Sequence, residues 1–376
     1  MKVAGLIFSN IHDESIPEMT RVRTMASVPF GCRYRLIDFP LSNMVNSGIN
    51  KVGVITHYNY QSLLDHIGTG KDWDLARRSG GIKILPPYIT AFEQGAAHLY
   101  SSRLEALIGV SNFIDRCIED TLVMSDCDVI CNIDLTAVLE AHAASGADVT
   151  FVTKTVDASK FCLSENVSVI QSDSNGKITD FAIYKPTEGN VQIATNIMVA
   201  KRSFIQSVIA DSVAHGYTSF YRDVIAKTLD RADYRVYPYD GYYTFVGSMA
   251  SYFDASMQLL NNDCREQLFN IPNRPILTKV RNSAPTKYCE GAEVVNSLIA
   301  DGCIIEGKVE NSIIFRGVKV GKGSVVKNSI LLQDTYLGNR VSLNCVITDK
   351  NVVIKDDRQL SGHETMPFYI GKNVSI

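Results

Sequence analysis

Excess positive charge is the first thing the sequence lacks. Its 37 lysines and arginines face 40 aspartates and glutamates, for a formal net charge of −3. The dense positive field required by nucleic acid or an anionic membrane surface is therefore missing, and neither partner is expected. Also missing is any CxxC pair. The nine cysteines (Cys32, Cys117, Cys127, Cys131, Cys162, Cys264, Cys289, Cys303, Cys345) are odd in number and scattered, which leaves no spaced zinc or redox motif and reads as buried reduced thiols. No apolar run approaches the roughly 20 residues of a membrane span. The N-terminus opens on a strand rather than on a basic region followed by a long apolar stretch, so a cytoplasmic protein is expected. The last absence is local. After the buried strand "VAGLIF" an α/β nucleotide-binding domain would place a glycine-rich phosphate loop, and here follow Ser9, Asn10, Ile11, His12, Asp13 and Glu14.

What is present fits a globular chain of two domains, with 376 residues, 45% hydrophobic and 20% charged. Up to about residue 260 short apolar runs alternate with stretches of helical period, the pattern of a mostly parallel sheet covered by helices. Strands are expected at 2–9, 51–57, 81–85, 121–125 and 147–153, and helices at 40–47, 97–117, 135–144, 202–215, 221–229 and 249–261. "QSDSNGKITDF" reads as a hairpin in which Asn175 and Gly176 take the positive φ angles of a type I′ turn. "FNIPNRPILTKVRNSAPTKY", with three prolines and little periodicity, reads as a linker more structured than a tether.

From about residue 290 the period changes. "NSLIADGCIIEGKVE", "NSIIFRGVKVGKGSVVK", "NSILLQDTYLGNRVSL" and "NCVITDKNVVIKD" open on Asn296, Asn311, Asn328 and Asn344. Val320, Val326 and Leu332 recur every sixth residue, which signals a parallel β-helix of about three hexads per coil, with a β-meander as the alternative. Its exposed strand edges call for cover by the first domain or another subunit, so an oligomer is expected. The division is 1–262, a nucleotide-binding α/β domain; 263–290, a linker; and 291–376, the β-helix.

"VPFGCRYRLIDFPLSNMVNSGINKVGVITHYN", "ILPPY", "DGYYTFVGSMASYFDASMQLL" and "DGCIIEGKVENSIIFRGVKVGKGSVVKNSI" closely resemble the ADP-glucose pyrophosphorylase (glucose-1-phosphate adenylyltransferase) family over nearly the whole chain. The resemblance implies a Rossmann-like nucleotidyltransferase domain with a mostly parallel mixed sheet, followed by a left-handed parallel β-helix, assembled as a tetramer. The family makes ADP-glucose for glycogen from ATP and glucose 1-phosphate. That reaction requires close backbone approach to the triphosphate, positive charge upon it and a bridging magnesium ion.

Matched position by position, the family's loop glycines fall on Asn10, Ile11 and Asp13, its loop arginine on Ser15 and its following lysine on Met25. Side chains now stand where bare backbone is needed, and Asp13 and Glu14 add negative charge. The first metal aspartate corresponds to Asp128, with Asp134 in register downstream, and its other reading is a solvated strand-end aspartate. The second falls on Phe245, so the magnesium site is expected to be broken. In the sugar-phosphate pocket Gly95 is retained while its neighbours become Glu93 and Ala96, and a serine becomes Ala194. Lys185 matches the phosphate-binding lysine but equally suits a surface lysine before a turn; Tyr184 replaces its glutamate neighbour. Gly95, Asp128 and Lys185 thus form a remnant substrate pocket, with no catalytic set and no metal site. Arg23, Arg33 and Arg35 persist as a positive cluster. In the family, arginines matching Arg23 and Arg35 help bind phosphorylated effectors between the domains; the alternative is salt bridging to Asp38 and other acids.

The expected function is a GlgD-type non-catalytic regulatory subunit, which joins a catalytic GlgC-type homologue in a mixed tetramer and answers to a phosphorylated effector. It carries no cofactor of its own, magnesium and ATP being used by the partner. Two other readings stay open: a weakly active adenylyltransferase relying on Asp128, Lys185 and the arginines, and a stand-alone sensor of sugar phosphate or nucleotide.

Overall fold

A computed structural model describes residues 2–86, 100–159 and 166–376. The strand Val3–Phe8 lies inside a mixed sheet of nine strands, counted among the described residues. Its two faces feed two different apolar layers: Ala4, Leu6 and Phe8 pack on one side and Ile7 on the other. That period of two, buried on both faces, is why the stretch reads as a continuous apolar run. The strand pairs in parallel with Lys51–Ile55 on one side and Thr121–Asp126 on the other. Gly5 leaves room in this strand for the Met44 thioether of the helix Asp38–Asn46, which would have to shift if a Cβ stood there.

Asn190–Lys201 runs antiparallel to Thr121–Asp126 and to Val149–Asp157, and its pairing with the latter slips between Ala194 and Met198. Asn196 sits in that irregularity at φ 61, a left-handed conformation that asparagine tolerates. Such slips re-aim side chains, and here Ala194 and Asn196 both line a cavity described below.

Several local expectations need correcting. The stretch expected as one helix over 97–117 is two, Arg103–Gly109 and Ser111–Asp115, because Gly109 followed by β-branched Val110 is a poor helix interior; residues 97–99 lie outside the described residues. The helix expected at 221–229 begins as a π-helical turn, Phe220–Ile225, and only Ala226–Thr228 is α-helical. In the hairpin between Val167–Ser172 and Ile178–Tyr184, Gly176 alone has positive φ. The Asp173 carboxylate accepts the Asn175 and Lys177 amides and holds a longer turn in place of a two-residue one. A helix, Asn262–Phe269, fills the start of the stretch taken as linker, and Lys287–Tyr288 near its end is already the first β-helix strand. The end of that helix and the chain after it are pinned: Asn132 Nδ2 donates to Leu268 O and Arg274 O, both at 2.8 Å.

The C-terminal part is a parallel β-helix of three sheets with five strands each. Ile305, Val320, Leu337 and Ile354 stack from coil to coil inside it, as do Val309, Val326 and Leu343. Asn296, Asn311, Asn328 and Cys345 take left-handed backbone at one series of corners. The last of these corrects the fourth repeat opening from Asn344 to its neighbour, since register pairs Asn344 with Lys327. One sheet carries ion pairs to solvent, Lys308–Glu293 at 2.8 Å and Lys327–Glu310 at 2.9 Å. Another is apolar on its outer face too, and its Ile313, Ile330 and Ile347 join the core of the first domain with Phe30, Tyr252 and Leu259. The first domain thus covers one flank of the solenoid.

Candidate functional site

The loop after Phe8 is closed by its own side chains. Asn10 Oδ1 accepts from Ser9 Oγ (2.7 Å), Thr56 Oγ1 (2.9 Å) and the His57 amide (3.2 Å), while its Nδ2 donates to Asp13 Oδ2 at 2.5 Å. The other Asp13 oxygen accepts the Met25 amide at 2.7 Å. Burial pushes the Asp13 carboxyl up to about 7 against those hydrogen bonds. A buried carboxyl group therefore stands in the register of a phosphate loop and binds the loop's own donors, which is the opposite of a cradle for an anion.

Beyond it lies a cavity of about 240 Å³ whose wall includes His12, Arg103, Asp128, Asn196, Tyr221 and Phe245. Val129–Cys131 pairs antiparallel with Tyr243–Phe245, placing Phe245 opposite Val129 and next to Asp128. Asp126 ends the strand Thr121–Asp126 and Asp128 stands two residues on; both are 1% exposed. Arg103, at the start of a helix capped by Ser102, forks onto Asp126: Nε donates to Oδ1 at 2.9 Å and Nη2 donates to Oδ2. His12 Nε2 donates to the same Oδ2 at 2.9 Å and lies 3.9 Å from Asp128 Oδ2. Asp128 Oδ1 is buried without a hydrogen-bond partner.

The electrostatics follow from this packing. Burial favours the neutral form of Asp126, but Arg103 and His12 outweigh it and hold the carboxyl below its ordinary range. Asp128 lacks such a fork, and burial pushes it up to about 6 despite His12. For His12, burial opposes the charge, yet Asp128 and Asp126 hold it above its ordinary value. The cluster neutralises itself.

The other expected pocket residues fall apart. Lys185 is exposed and is not on the cavity wall, whereas Ala194 is. Asp134 caps the helix Leu135–Ser145, its Oδ1 accepting the Thr136 amide at 2.9 Å. Gly95, with Glu93 and Ala96, lies outside the described residues. Sequence reasoning misses the roles of His12, Asp126 and Arg103; the only hint is the spacing of "SDCD", which sets two carboxylates on one side of a strand end.

A second site lies between the domains. Arg33 and Arg35 line a cleft with Lys279, Arg281, Arg316 and Lys350. Arg35 Nη1 donates to Ser62 O (2.6 Å) and Ser62 Oγ (2.9 Å). Asp38, the acid considered as an alternative partner, is engaged instead by His66 Nε2 (2.6 Å) and by the Arg35 amide (3.0 Å). So many cations meet here that burial, followed by Arg35 and Arg23, pushes the Lys350 ammonium down to about 7. Arg23 itself does not line the cleft: it is 2% exposed, and its Nη2 donates to both oxygens of Asp349 at 2.9 and 2.8 Å. An anion of phosphate type is what such a cleft suits, because guanidinium and ammonium groups converge on its wall, although Arg316 Nε is already paired with Asp301 Oδ1 at 2.8 Å just off that wall.

Comparison with known proteins agrees with both halves of the fold. Residues 17–262 match the family "Nucleotidyl transferase" and residues 284–365 match "GlmU-like, C-terminal hexapeptide". A glycogen biosynthesis protein GlgD from Bacillus subtilis (strain 168) is 32% identical over 376 residues, covering 99% of this chain and 96% of the relative. Its namesake from Geobacillus stearothermophilus is 36% identical over 328 residues, covering 86% and 83%. A glucose-1-phosphate adenylyltransferase from Fervidobacterium nodosum is 32% identical over 365 residues, covering 96% and 86%. With a nucleotidyltransferase sheet, a hexapeptide β-helix docked on it and relatives of this kind along nearly its full length, the chain belongs to the glucose-1-phosphate adenylyltransferase (ADP-glucose pyrophosphorylase) family.

Proposed function

We propose that this chain serves glycogen biosynthesis as a non-catalytic regulatory subunit of glucose-1-phosphate adenylyltransferase. It would join a catalytic GlgC-type homologue in a mixed tetramer in the cytoplasm and pass on the binding of a phosphorylated effector. The observation that carries this reading is the contrast between the two sites. Asp13 closes the phosphate loop from within and Phe245 stands beside Asp128, while the cleft lined by Arg33, Arg35 and Lys350 stays cationic. Relatives named for glycogen biosynthesis and for the adenylyltransferase support the pathway. Magnesium and ATP would be handled by the partner.

The test is to co-express the chain with a catalytic homologue, purify each species and the complex, and assay ADP-glucose formation and its reversal. The expected result is negligible turnover by this chain alone, with altered turnover or effector response in the complex. Robust synthesis by the isolated chain overturns the reading in favour of a weak or altered enzyme. Ligand binding by the isolated chain with no complex on mixing overturns it in favour of a stand-alone sensor, which the buried unpartnered oxygen of Asp128 in the 240 Å³ cavity would suit.

A further inference from the structure

The reaction of the family implies a divalent ion at Asp128, and the residues around Asp128 do not fit one. At first sight the donors are there, since ligand atoms of His12, Asp126 and Asp128 all lie within 4.8 Å of one another. Yet both oxygens of Asp126 are already claimed by the Arg103 fork, and one of them also accepts from His12. Arg103 Nη2 stands 3.4 Å from His12 Nε2, the nitrogen that would have to turn to a metal. The aromatic ring of Phe245 stands on the cavity wall beside Asp128, where a second carboxylate would have to close the coordination shell.

We infer that the Arg103 guanidinium is the resident cation of this cavity, standing in the place of a divalent ion beside Asp126 and Asp128, so that the site excludes metal. Three observations carry this beyond a mere lost ligand. The guanidinium approaches as a fork, the geometry that matches a carboxylate edge. It is fixed from behind, 5.2 Å from the Tyr221 ring centroid and delivered from a helix start capped by Ser102. And Asp128 keeps one buried oxygen unpartnered while both oxygens of its neighbour Asp126 are engaged, which is the asymmetry expected when one cation of fixed shape replaces an ion with several coordination positions. Arg103 is thus a positioning residue for the cavity. Its role holds whether or not the chain joins a catalytic partner.

The test is direct Mn²⁺ binding by the full chain, followed by electron paramagnetic resonance, with circular dichroism and thermal melts to establish folding. Wild-type protein is expected to show no saturable Mn²⁺ binding and no change in melting temperature on adding EDTA. Arg103→Met and Arg103→Gln free the two carboxylates and His12, and are expected to gain saturable binding tighter than wild type by at least an order of magnitude. Adding Asp126→Asn to either removes the gain; a purely structural role for Arg103 would lower the melting temperature without creating a metal site. Saturable Mn²⁺ binding by wild type overturns the inference at once, even if neither Arg103 variant folds. So does a folded Arg103 variant that binds no better than wild type. Because the readout is metal binding, its failure is separate from that of the regulatory reading, which is decided by turnover.

Discussion

Arg23 and Asp349, 326 residues apart in sequence, meet as a buried pair at the junction of the two domains, with the Arg23 Nη2 at 2.9 and 2.8 Å from the two carboxylate oxygens. The Tyr369 hydroxyl lies 2.9 Å from the same carboxylate and 3.0 Å from Glu18 O. Removing one member strands the other charge in a dry interior, which costs about 3–5 kcal/mol. Arg23→Ala and Asp349→Ala are each expected to destabilise the chain by that amount in urea unfolding. The pair Arg23→Met with Asp349→Leu should recover a large part of the loss, because two apolar groups leave no buried charge.

Lys350 gives the cleft a pH signature. Its ammonium is held down to about 7 by burial and then by neighbouring cations, and a bound anion favours the charged form. Sulfate, whose own charge is fixed near neutral pH, should therefore bind more tightly as pH falls through about 7, with proton uptake visible when calorimetry is repeated in buffers of different ionisation heat. Lys350→Met should flatten that dependence and weaken binding by about 1.5–3 kcal/mol, the worth of a charge-assisted hydrogen bond. For stability the sign is opposite to that of a paired lysine: an unfolded lysine titrates near about 10.4. Across the window from about 7 up to that value the unfolded chain holds the extra proton, so this group adds stability as pH rises.

Restoring the phosphate loop should not restore an enzyme. A variant carrying Asn10→Gly, Ile11→Gly, Asp13→Gly, Ser15→Arg and Met25→Lys is expected to form no measurable ADP-glucose while Phe245 and Arg103 remain. It should also melt lower than wild type, since Asn10 and Asp13 together satisfy the buried Thr56 hydroxyl and the Met25 and His57 amides, and each orphaned buried group costs about 1–3 kcal/mol.

The solenoid offers a cleaner stability test. Asn328 occupies a left-handed corner at φ 45, where a β-branched residue is strained by about 1–2 kcal/mol. Asn328→Val should lower the unfolding free energy by at least that much, while Asn328→Gly should come close to wild type. Leu343→Ala, which empties an enclosed position between two coils, should cost about 2–5 kcal/mol.

These outcomes also mark how far the sequence can be read. The sheet strands and the solenoid are legible because their periods are short and local: Val3–Phe8 alternates between two layers, and the coil core recurs every five or six residues through Val320, Val326, Leu331, Leu337 and Leu343, Leu332 of the expected series packing in the first domain's core instead. Phe245 is legible in part: the resemblance sets it near Asp128, and the structure puts it opposite Val129 and on the cavity wall that Asp128 also lines. What is hidden depends on partners far away in the chain. Arg103 and Asp126 come from different elements, Arg23 finds its acid in the β-helix, and nothing in "SNIHDES" announces that Asp13 folds back onto Met25. Lys185 illustrates the converse: its motif matches, but the side chain sits on the outside.

The closed loop has a thermodynamic corollary. A site that lacks part of its hydrogen bonding until substrate arrives makes folding and ligand supply interdependent, since whatever binds only the native form stabilises it. Here Asn10 and Asp13 answer the Met25, Thr56 and His57 donors within the chain itself, so these groups need no triphosphate to be satisfied. Their hydrogen bonding is complete in the chain by itself, and the stability it contributes does not wait on a ligand.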